Sequence, residues 1–124
     1  MTDKVVDASA LAAILFAELR MGEAQVALAD AALFAPQLIR HEIANVGAKK
    51  FRANPTLRDQ VLSAMDDFAE YRIREVEIDL GQVVELADRE RLSAYDASYL
   101  WLAQSMGIEL VTLDNKLARA AARG

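Results

Sequence analysis

Short apolar segments alternate with segments of helical periodicity along nearly the whole chain, and this alternation limits the possible folds more than any other feature. The apolar or alternating segments predict strands at Lys4–Asp7, Leu33–Ala35, Ile73–Ile78 and Glu109–Leu113. Strands that are separated by helices favour a parallel sheet with helices on both of its faces. Because 124 residues suit one hydrophobic core and no linker or repeat interrupts them, we predict a single α/β domain over residues 1–124.

The helices are marked by apolar spacing and by residues that begin or end helical segments. We expect the first helix to carry Leu19 on its apolar face and to end, or to hinge, at Gly22. Pro36 is expected in the first turn of a later helix, where proline is well tolerated. Ser93 is expected to begin a helix that ends at Gly107.

Four carboxylates occupy distinctive local settings. Asp7 ends the first predicted strand and Asp114 ends the last, whereas Glu42 and Asp96 lie in predicted helices. In a parallel sheet the carboxyl ends of the strands meet at one edge, and ligands gather there. Carboxylates that converge repel one another, so one of them must hold a proton or a cation must lie between them. Mg²⁺ and Mn²⁺ prefer surroundings made only of oxygen ligands.

Each acid alone also has an ordinary structural explanation. Asp7 and Asp114 are suited to cap the helices that follow them. Asp96 fits a loose form of the capping box that Ser93 opens, and Glu42 is explained as one charge on a solvated helix face. Three aspartates at helix starts, two of them at strand ends, favour the joint interpretation, which is a site at one edge of the sheet.

The helix that follows Ser93 is apolar on nearly every side. Its apolar residues are Ala97, Leu100, Trp101, Leu102, Ala103 and Met106. A helix of this kind is buried on more than one side. Two interpretations stay open: it is a central helix of the core, or its outer side contacts a partner subunit.

Composition argues against several classes of protein. The chain has no cysteine, which excludes disulfides and thiolate sites, and its net charge of −5 argues against tight nonspecific binding to a polyanion. The argument from net charge weighs less against a nuclease, since bound metal would neutralise part of that charge. No signal peptide and no apolar run of the ~18 residues of a membrane span are present, so a cytoplasmic location is expected. With His41 as its only histidine and no glycine-rich phosphate loop, the chain shows neither a catalytic triad nor a nucleotide motif.

The segments around the four acids resemble those of PIN-domain ribonucleases, and among these the VapC-type toxins of bacterial type II toxin–antitoxin pairs. The resemblance extends from Val5 to Leu117. It rests on four stretches in order, which are Val5-Val6-Asp7-Ala8-Ser9, Pro36-x5-Glu42-x2-Asn45, Ser93-Ala94-Tyr95-Asp96-Ala97-x-Tyr99 and Leu110-Val111-Thr112-Leu113-Asp114. It implies a three-layer α/β/α fold whose central parallel sheet has four or five short strands.

The resemblance also implies endonucleolytic cleavage of RNA that depends on Mg²⁺ or Mn²⁺. The expected catalytic and metal-binding residues are Asp7, Asp96 and Asp114, with Glu42 completing the cluster directly or through water. No protein nucleophile is needed for such cleavage, because a water that the metal activates attacks the phosphate. A toxin of this type implies a cognate VapB-type antitoxin as a partner and a homodimer as the assembly.

Further polar residues are predicted to surround this site. Ser9 and Thr112 lie two residues from Asp7 and Asp114, and on a strand that spacing places them on the same face as the acids. We predict hydrogen bonds from these hydroxyls to a carboxylate or to water, with a packing role as the alternative. The residues expected to bind the RNA backbone are basic, namely Lys49, Lys50, Arg52, Lys116 and Arg119.

Other functions are less well supported. A receiver domain needs an aspartate at the end of a central strand, but residues 49–58 are polar and contain Pro55. Aspartyl phosphatases carry an Asp-x-Asp pair after the first strand, where this chain has Asp7-Ala8-Ser9. A dimeric interaction module that binds metal without catalysis remains the alternative. Cleavage of RNA in the presence of metal distinguishes it from the nuclease.

Overall fold

The computed structural model describes residues 1–123, in which a four-stranded sheet lies between two groups of helices. The strands are β1 (Thr2–Val6), β2 (Ala31–Pro36), β3 (Arg74–Val76) and β4 (Glu109–Val111). They pair in the order β3-β2-β1-β4, and every pairing is parallel. The predicted α/β class with a parallel sheet is therefore confirmed, and within residues 1–123 the sheet has four strands. Gly124, the last residue of the predicted domain, lies outside the described residues.

The helices form the two outer layers of the fold. They are α1 (Ala8–Leu15), α2 (Met21–Leu28), α3 (Ile39–Ala53), α4 (Arg58–Glu70), α5 (Leu80–Glu90), α6 (Ala94–Met106) and α7 (Asn115–Arg123), with a short 3-10 helix at Pro55–Leu57 before α4. Helix α1 packs against α2, α3 and α4. Helix α6 packs against α5, α7 and the sheet. Within residues 1–123 no helix is long and apolar enough to cross a membrane.

Strand β1 is the centre of the sheet. It pairs with β2 on one side and β4 on the other, and Val5 and Val6 are completely buried. A parallel strand that is covered on both faces is apolar where it is buried; in β1 that part is Val5 and Val6, whereas Thr2 and Asp3 are exposed. The pairing with β4 continues one residue further, because the Asp7 N–H donates to the Val111 carbonyl at 3.1 Å. Asp7 is therefore held at the end of β1, beside the end of β4.

Helix α6 is a core helix. Ser93 caps its start, since the hydroxyl accepts the Asp96 N–H at 3.1 Å. Gly107 ends it in the left-handed conformation with φ of 67°, which glycine adopts without steric strain. Residues of this chain cover most of its surface, and the half-exposed Trp101 donates its indole N–H to Gln82 Oε1 at 2.8 Å. The core interpretation of this helix therefore explains Ala97, Leu100, Leu102 and Ala103, which are at most 4% exposed, whereas Met106 is 36% exposed and lies outside the core.

The start of the helical region differs from the prediction. Helix α1 ends at Leu15, and Ala17 adopts the left-handed conformation with φ of 49°, so that the chain turns before α2 begins at Met21. Leu19 consequently lies in the connection and is completely exposed, not on an apolar helix face. Gly22 lies inside α2 and ends no helix. An alanine rarely adopts a left-handed conformation, so the sequence contained no signal for this turn.

The strand ends also differ in detail. Pro36 is the last residue of β2, where it pairs with Val76, and α3 begins only at Ile39. A proline at this point avoids the interior of the sheet, where its missing N–H would break the ladder. Strand β4 ends at Val111, so Thr112 lies beyond the strand in which it was predicted.

We predict that Gly107→Ala destabilises the protein by about 1 kcal/mol, because alanine is strained at the positive φ that ends α6. The matched control is Gly22→Ala, which adds the same methyl group inside α2 where no atom lies within 4 Å of the new Cβ. That change is expected to be neutral or to stabilise by up to about 1 kcal/mol. Urea unfolding of both variants measures the difference. Equal stability of the two variants would contradict this account of the α6 end.

Candidate active site

The four acids predicted from the sequence lie at the starts of four helices. Asp7 is the N-cap of α1, and Glu42 lies in the first turn of α3. Asp96 lies in the first turn of α6, and Asp114 precedes α7 and accepts the Leu117 N–H at 2.9 Å. Their charges act on one another: Asp96 raises the pKa of Asp7 and of Glu42, and Asp114 raises the pKa of Asp96. The structure thus places all four at one rim of the sheet, which we call the acidic rim.

Asp7 is the most buried acid of the acidic rim, with only 4% of its surface exposed. Its Oδ1 accepts the Ser9 hydroxyl at 2.7 Å and the Ala10 N–H at 3.1 Å, and its Oδ2 accepts the Thr112 hydroxyl at 2.6 Å. Burial raises the pKa of Asp7 and outweighs these hydrogen bonds, which lower it. The charge of Asp96 raises it further. Asp7 is therefore a rigidly held carboxylate whose negative charge is unfavourable until a cation compensates it.

Ser9 and Thr112 connect Asp7 to the segment that follows β4. Besides donating to Asp7, the Ser9 hydroxyl accepts the Leu113 N–H at 2.9 Å, and the Thr112 hydroxyl accepts the Asp114 N–H at 3.0 Å. The predicted hydrogen bonds from both hydroxyls are thus present. The predicted reason for them was wrong, because Ser9 lies in the first turn of α1 and Thr112 lies beyond β4. The two hydroxyls reach Asp7 from the start of a helix and from beyond the end of a strand, and not from one face of a shared strand.

Glu42 accepts a hydrogen bond from a residue that was not among the predicted site residues. The Tyr99 hydroxyl donates to Glu42 Oε1 at 2.6 Å, and Tyr99 is only 1% exposed. Burial raises the pKa of Tyr99, as do the hydrogen bond to Glu42 and its charge, so the hydroxyl keeps its proton. Burial also raises the pKa of Glu42, against the lowering effect of the Tyr99 hydrogen bond. Tyr99 belongs to the third stretch of the resemblance and follows Asp96 by three residues on one helix, but neither signal indicated a contact with Glu42.

Asp96 differs from the other acids because its carboxylate accepts no hydrogen bond from residues 1–123. The predicted capping box is therefore half formed: Ser93 caps the Asp96 N–H, but the carboxylate makes no reciprocal bond. Partial burial raises the pKa of Asp96, and the charge of Asp114 adds to this effect, while Lys116 opposes it. Asp96 thus presents free carboxylate oxygens at the acidic rim.

The chemistry of the acidic rim fits a hard divalent cation. Its donors are carboxylate and hydroxyl oxygens, and raised pKa values show that burial and mutual repulsion disfavour three of the carboxylates as anions. Among residues 1–123 no group of three or more acidic or histidine side chains lies in an arrangement that could hold a metal ion. Mg²⁺ commonly binds through one or two carboxylates and keeps several waters, so the donor set suits it.

A groove of about 590 Å³ adjoins the acidic rim. Ser9 and Glu42 belong to both, and the other polar residues that line the groove are Glu18, Arg20, Asn45 and Lys49. Arg20 was not selected from the sequence. Its guanidinium donates to the Leu113 carbonyl at 2.8 Å and to both carboxylate oxygens of Glu23, so it ties α2 to the segment that follows β4.

The basic residues that were predicted to bind RNA lie in different places. Lys49 lines the groove, and Lys116 lies close enough to Asp96 to lower its pKa. Lys50 instead pairs with Glu18 at 3.0 Å. Arg52 is exposed ten residues after Glu42 on α3, which places it about 15 Å further along the helix axis. Arg119 is exposed on α7. The structure therefore brings only Lys49 and Lys116 to the acids.

We predict that Asp96→Asn raises the unfolding temperature in metal-free buffer at neutral pH. Because the folded state raises the pKa of Asp96, the ionised form destabilises the fold, and stability is lost as the pH rises through the raised pKa. The gain from Asp96→Asn should shrink as the pH falls towards the ordinary aspartate range. The control is Asp66→Asn on the exposed face of α4, which is expected to change stability by less than about 0.5 kcal/mol. If Asp96→Asn unfolds at a lower temperature than both the wild type and Asp66→Asn, this account is contradicted.

Comparison with known proteins identifies the family. The family described as PIN domain matches residues 4–123. The protein named Ribonuclease VapC3 from Pyrobaculum aerophilum is 32% identical over 119 residues, which are 92% of this chain and 91% of that protein. Ribonuclease VapC9 from Mycobacterium tuberculosis is 36% identical over 119 residues, which are 92% of this chain and 87% of that protein.

A solved structure agrees with the fold. The crystal structure of PAE2754 from Pyrobaculum aerophilum aligns with 96% of this chain and 86% of its own, with a TM-score of 0.69 and 25% identity. The matched segment, residues 4–123, includes all four strands from Lys4 of β1 onwards and each acid of the acidic rim. The chain therefore belongs to the PIN-domain family and, within it, to the VapC type.

Proposed function

We propose that this protein is a metal-dependent endoribonuclease that acts as the toxin of a toxin–antitoxin pair. The observation that supports this most strongly is the acidic rim, where Asp7, Glu42, Asp96 and Asp114 all lie at helix starts. Burial and the charges of neighbouring acids raise the pKa values of Asp7, Glu42 and Asp96. The relatives that cover most of the chain are named ribonucleases of the VapC type, which supports RNA as the substrate.

The proposed chemistry uses the carboxylates in different ways. Asp7 would hold a divalent cation in a fixed position, because Ser9 and Thr112 restrain both of its oxygens. The free carboxylate of Asp96 would bind the cation or accept a hydrogen bond from the attacking water. A bound Mg²⁺ or Mn²⁺ would supply the Lewis acidity for attack of water on the phosphodiester. Glu42 and Asp114 would complete the negative surroundings of the cation.

No side chain of the acidic rim is suited to act as a nucleophile in this reaction. The Ser9 and Thr112 hydroxyls each donate their one proton to Asp7, and each accepts a backbone N–H. A hydroxyl that is engaged in this way is held in the supporting network. Tyr99 is buried and keeps its proton. Water is therefore the proposed nucleophile, in keeping with the absence of cysteine from the chain.

The proposed RNA contacts are few. Lys49 in the groove and Lys116 near Asp96 are the basic residues placed to bind phosphates on either side of the scissile bond. Phosphate contacts supply most of the affinity of a nucleic-acid-binding protein, so two such contacts imply weak binding that salt reduces further. Weak binding agrees with the net charge of −5 and implies that other features of the RNA select the cleavage position.

The toxin role implies partners. A VapB-type antitoxin would inhibit the nuclease by placing a basic segment at the acidic rim and an apolar helix in a groove of the protein. We propose a homodimer as the assembly and the cytoplasm as the location, since the RNA substrate and the antitoxin are found there. The alternative function, a metal-binding interaction module without catalysis, shares the fold and the acidic rim and differs only in turnover.

We predict that the wild-type protein cuts a mixed RNA pool with Mg²⁺ or Mn²⁺ and that EDTA abolishes the cutting. Asp96→Asn should lose more activity than the ~10–100-fold that loss of an outer hydrogen-bond partner causes, because it removes a charge that acts on the cation directly. The control Asp66→Asn, with an exposed acid on α4, should retain wild-type activity. Gel analysis of the RNA fragments measures the cleavage activity of the wild type, Asp96→Asn and Asp66→Asn.

Two results of this assay would count against the proposal. Full activity in a folded Asp96→Asn protein would refute the assignment of the acidic rim. Binding of Mn²⁺ by the wild type without cleavage of any RNA would favour the interaction module instead.

A further inference from the structure

The hydrogen bond between Tyr99 and Glu42 joins two helices that carry acids of the site. Tyr99 lies on α6, one turn after Asp96, and Glu42 lies in the first turn of α3. The two residues are 57 positions apart in the chain, and their side chains meet at 2.6 Å. Among residues 1–123 this is the one side-chain hydrogen bond between α3 and α6.

We propose that Tyr99 is a positioning residue that fixes Glu42 for cation binding through this single hydrogen bond. The inference rests on the proposed function, because the proposed function assigns a metal to the site. The residue that it concerns, Tyr99, is not one of the four acids. Tyr99 itself would touch neither the cation nor the RNA, since it is only 1% exposed.

The geometry favours a positioning role over simple satisfaction of a buried hydroxyl. A distance of 2.6 Å lies in the range of hydrogen bonds from a hydroxyl to an ionised carboxylate, which are the stronger ones. The bond uses Glu42 Oε1 and leaves Oε2 without a partner among residues 1–123. One oxygen is thus anchored and the other is available to a ligand.

The anchor matters because a glutamate side chain has three rotatable bonds. Glu42 is partly exposed and lines the groove, so without Tyr99 its carboxylate would sample solvent as well as the site. Asp7, by contrast, is short and is held by three hydrogen bonds. Loss of the one bond at Glu42 should therefore weaken a cation site more than it disturbs the fold.

The variant that tests this is Tyr99→Phe, which keeps the buried ring and removes only the hydroxyl. Calorimetric titration with Mn²⁺ should show affinity about 10–100-fold below that of the wild type, the range for loss of a partner that orients a ligand. The matched control is Tyr71→Phe at the end of α4, whose hydroxyl makes no hydrogen bond with residues 1–123. It should bind Mn²⁺ as the wild type does. Unchanged Mn²⁺ affinity in folded Tyr99→Phe would overturn the inference.

A second pair of variants separates positioning from packing. In a Glu42→Ala background Tyr99 has no carboxylate to orient, so adding Tyr99→Phe should cause no further loss of Mn²⁺ affinity. The same addition should raise the unfolding temperature, because the hydroxyl that Glu42→Ala leaves buried and unpaired is then removed. A further loss of affinity of the same size as in the wild-type background would show that the Tyr99 hydroxyl acts on the site by a route other than Glu42, and would overturn the inference.

The proposed function and this inference can fail separately. If the wild type binds Mn²⁺ but cuts no RNA, the nuclease assignment fails, while reduced Mn²⁺ affinity in Tyr99→Phe still supports the positioning role. If the wild type cuts RNA with Mn²⁺ and Tyr99→Phe keeps full metal affinity, the nuclease assignment stands and the positioning role is refuted. A wild type that binds no Mn²⁺ refutes both.

Discussion

Burial of carboxylates, to which their mutual repulsion adds, is the constraint on which the rest of this structure depends. Burial and neighbouring charges raise the pKa values of Asp7, Glu42 and Asp96, so the folded protein holds these anions at the expense of stability. The surrounding hydrogen bonds from Ser9, Thr112 and Tyr99 reduce this penalty without removing it. A bound cation would offset this cost. The sheet topology brings the acids to one rim, and the proposed chemistry needs a cation at that rim.

The fold could be predicted largely from the sequence because its signals are local. The buried apolar pair at the end of β1, the cap at Ser93 and the left-handed Gly107 each act through neighbouring residues, and the structure contains all three. The turn at Ala17 could not be predicted, because alanine does not favour the left-handed conformation that it adopts there. Local hydrogen bonds close this turn, among them the Glu18 N–H to the Ala13 carbonyl at 2.8 Å. The same turn explains why Leu19 is exposed although it continues the apolar spacing of α1.

For the candidate site, the two interpretations of the acids were not alternatives. Asp7 and Asp114 cap helices α1 and α7, as the ordinary explanation requires, and both also lie at the acidic rim. Helix starts gather where parallel strands end, so a capping aspartate is already at the edge where ligands bind. Tyr99 was missed because its contact with Glu42 joins residues far apart in the chain, and no spacing rule describes such a pair. The roles of the four acids in catalysis remain predictions.

The most direct test of the central claim is a crystal structure of the wild-type protein grown with Mn²⁺, with diffraction data collected near the Mn absorption edge. The account predicts an anomalous difference peak at the acidic rim, in contact with Asp7 or with the free carboxylate of Asp96. Mn²⁺ peaks elsewhere on the protein, with none at the acidic rim, would contradict it and would leave the raised pKa values of these acids without a functional explanation.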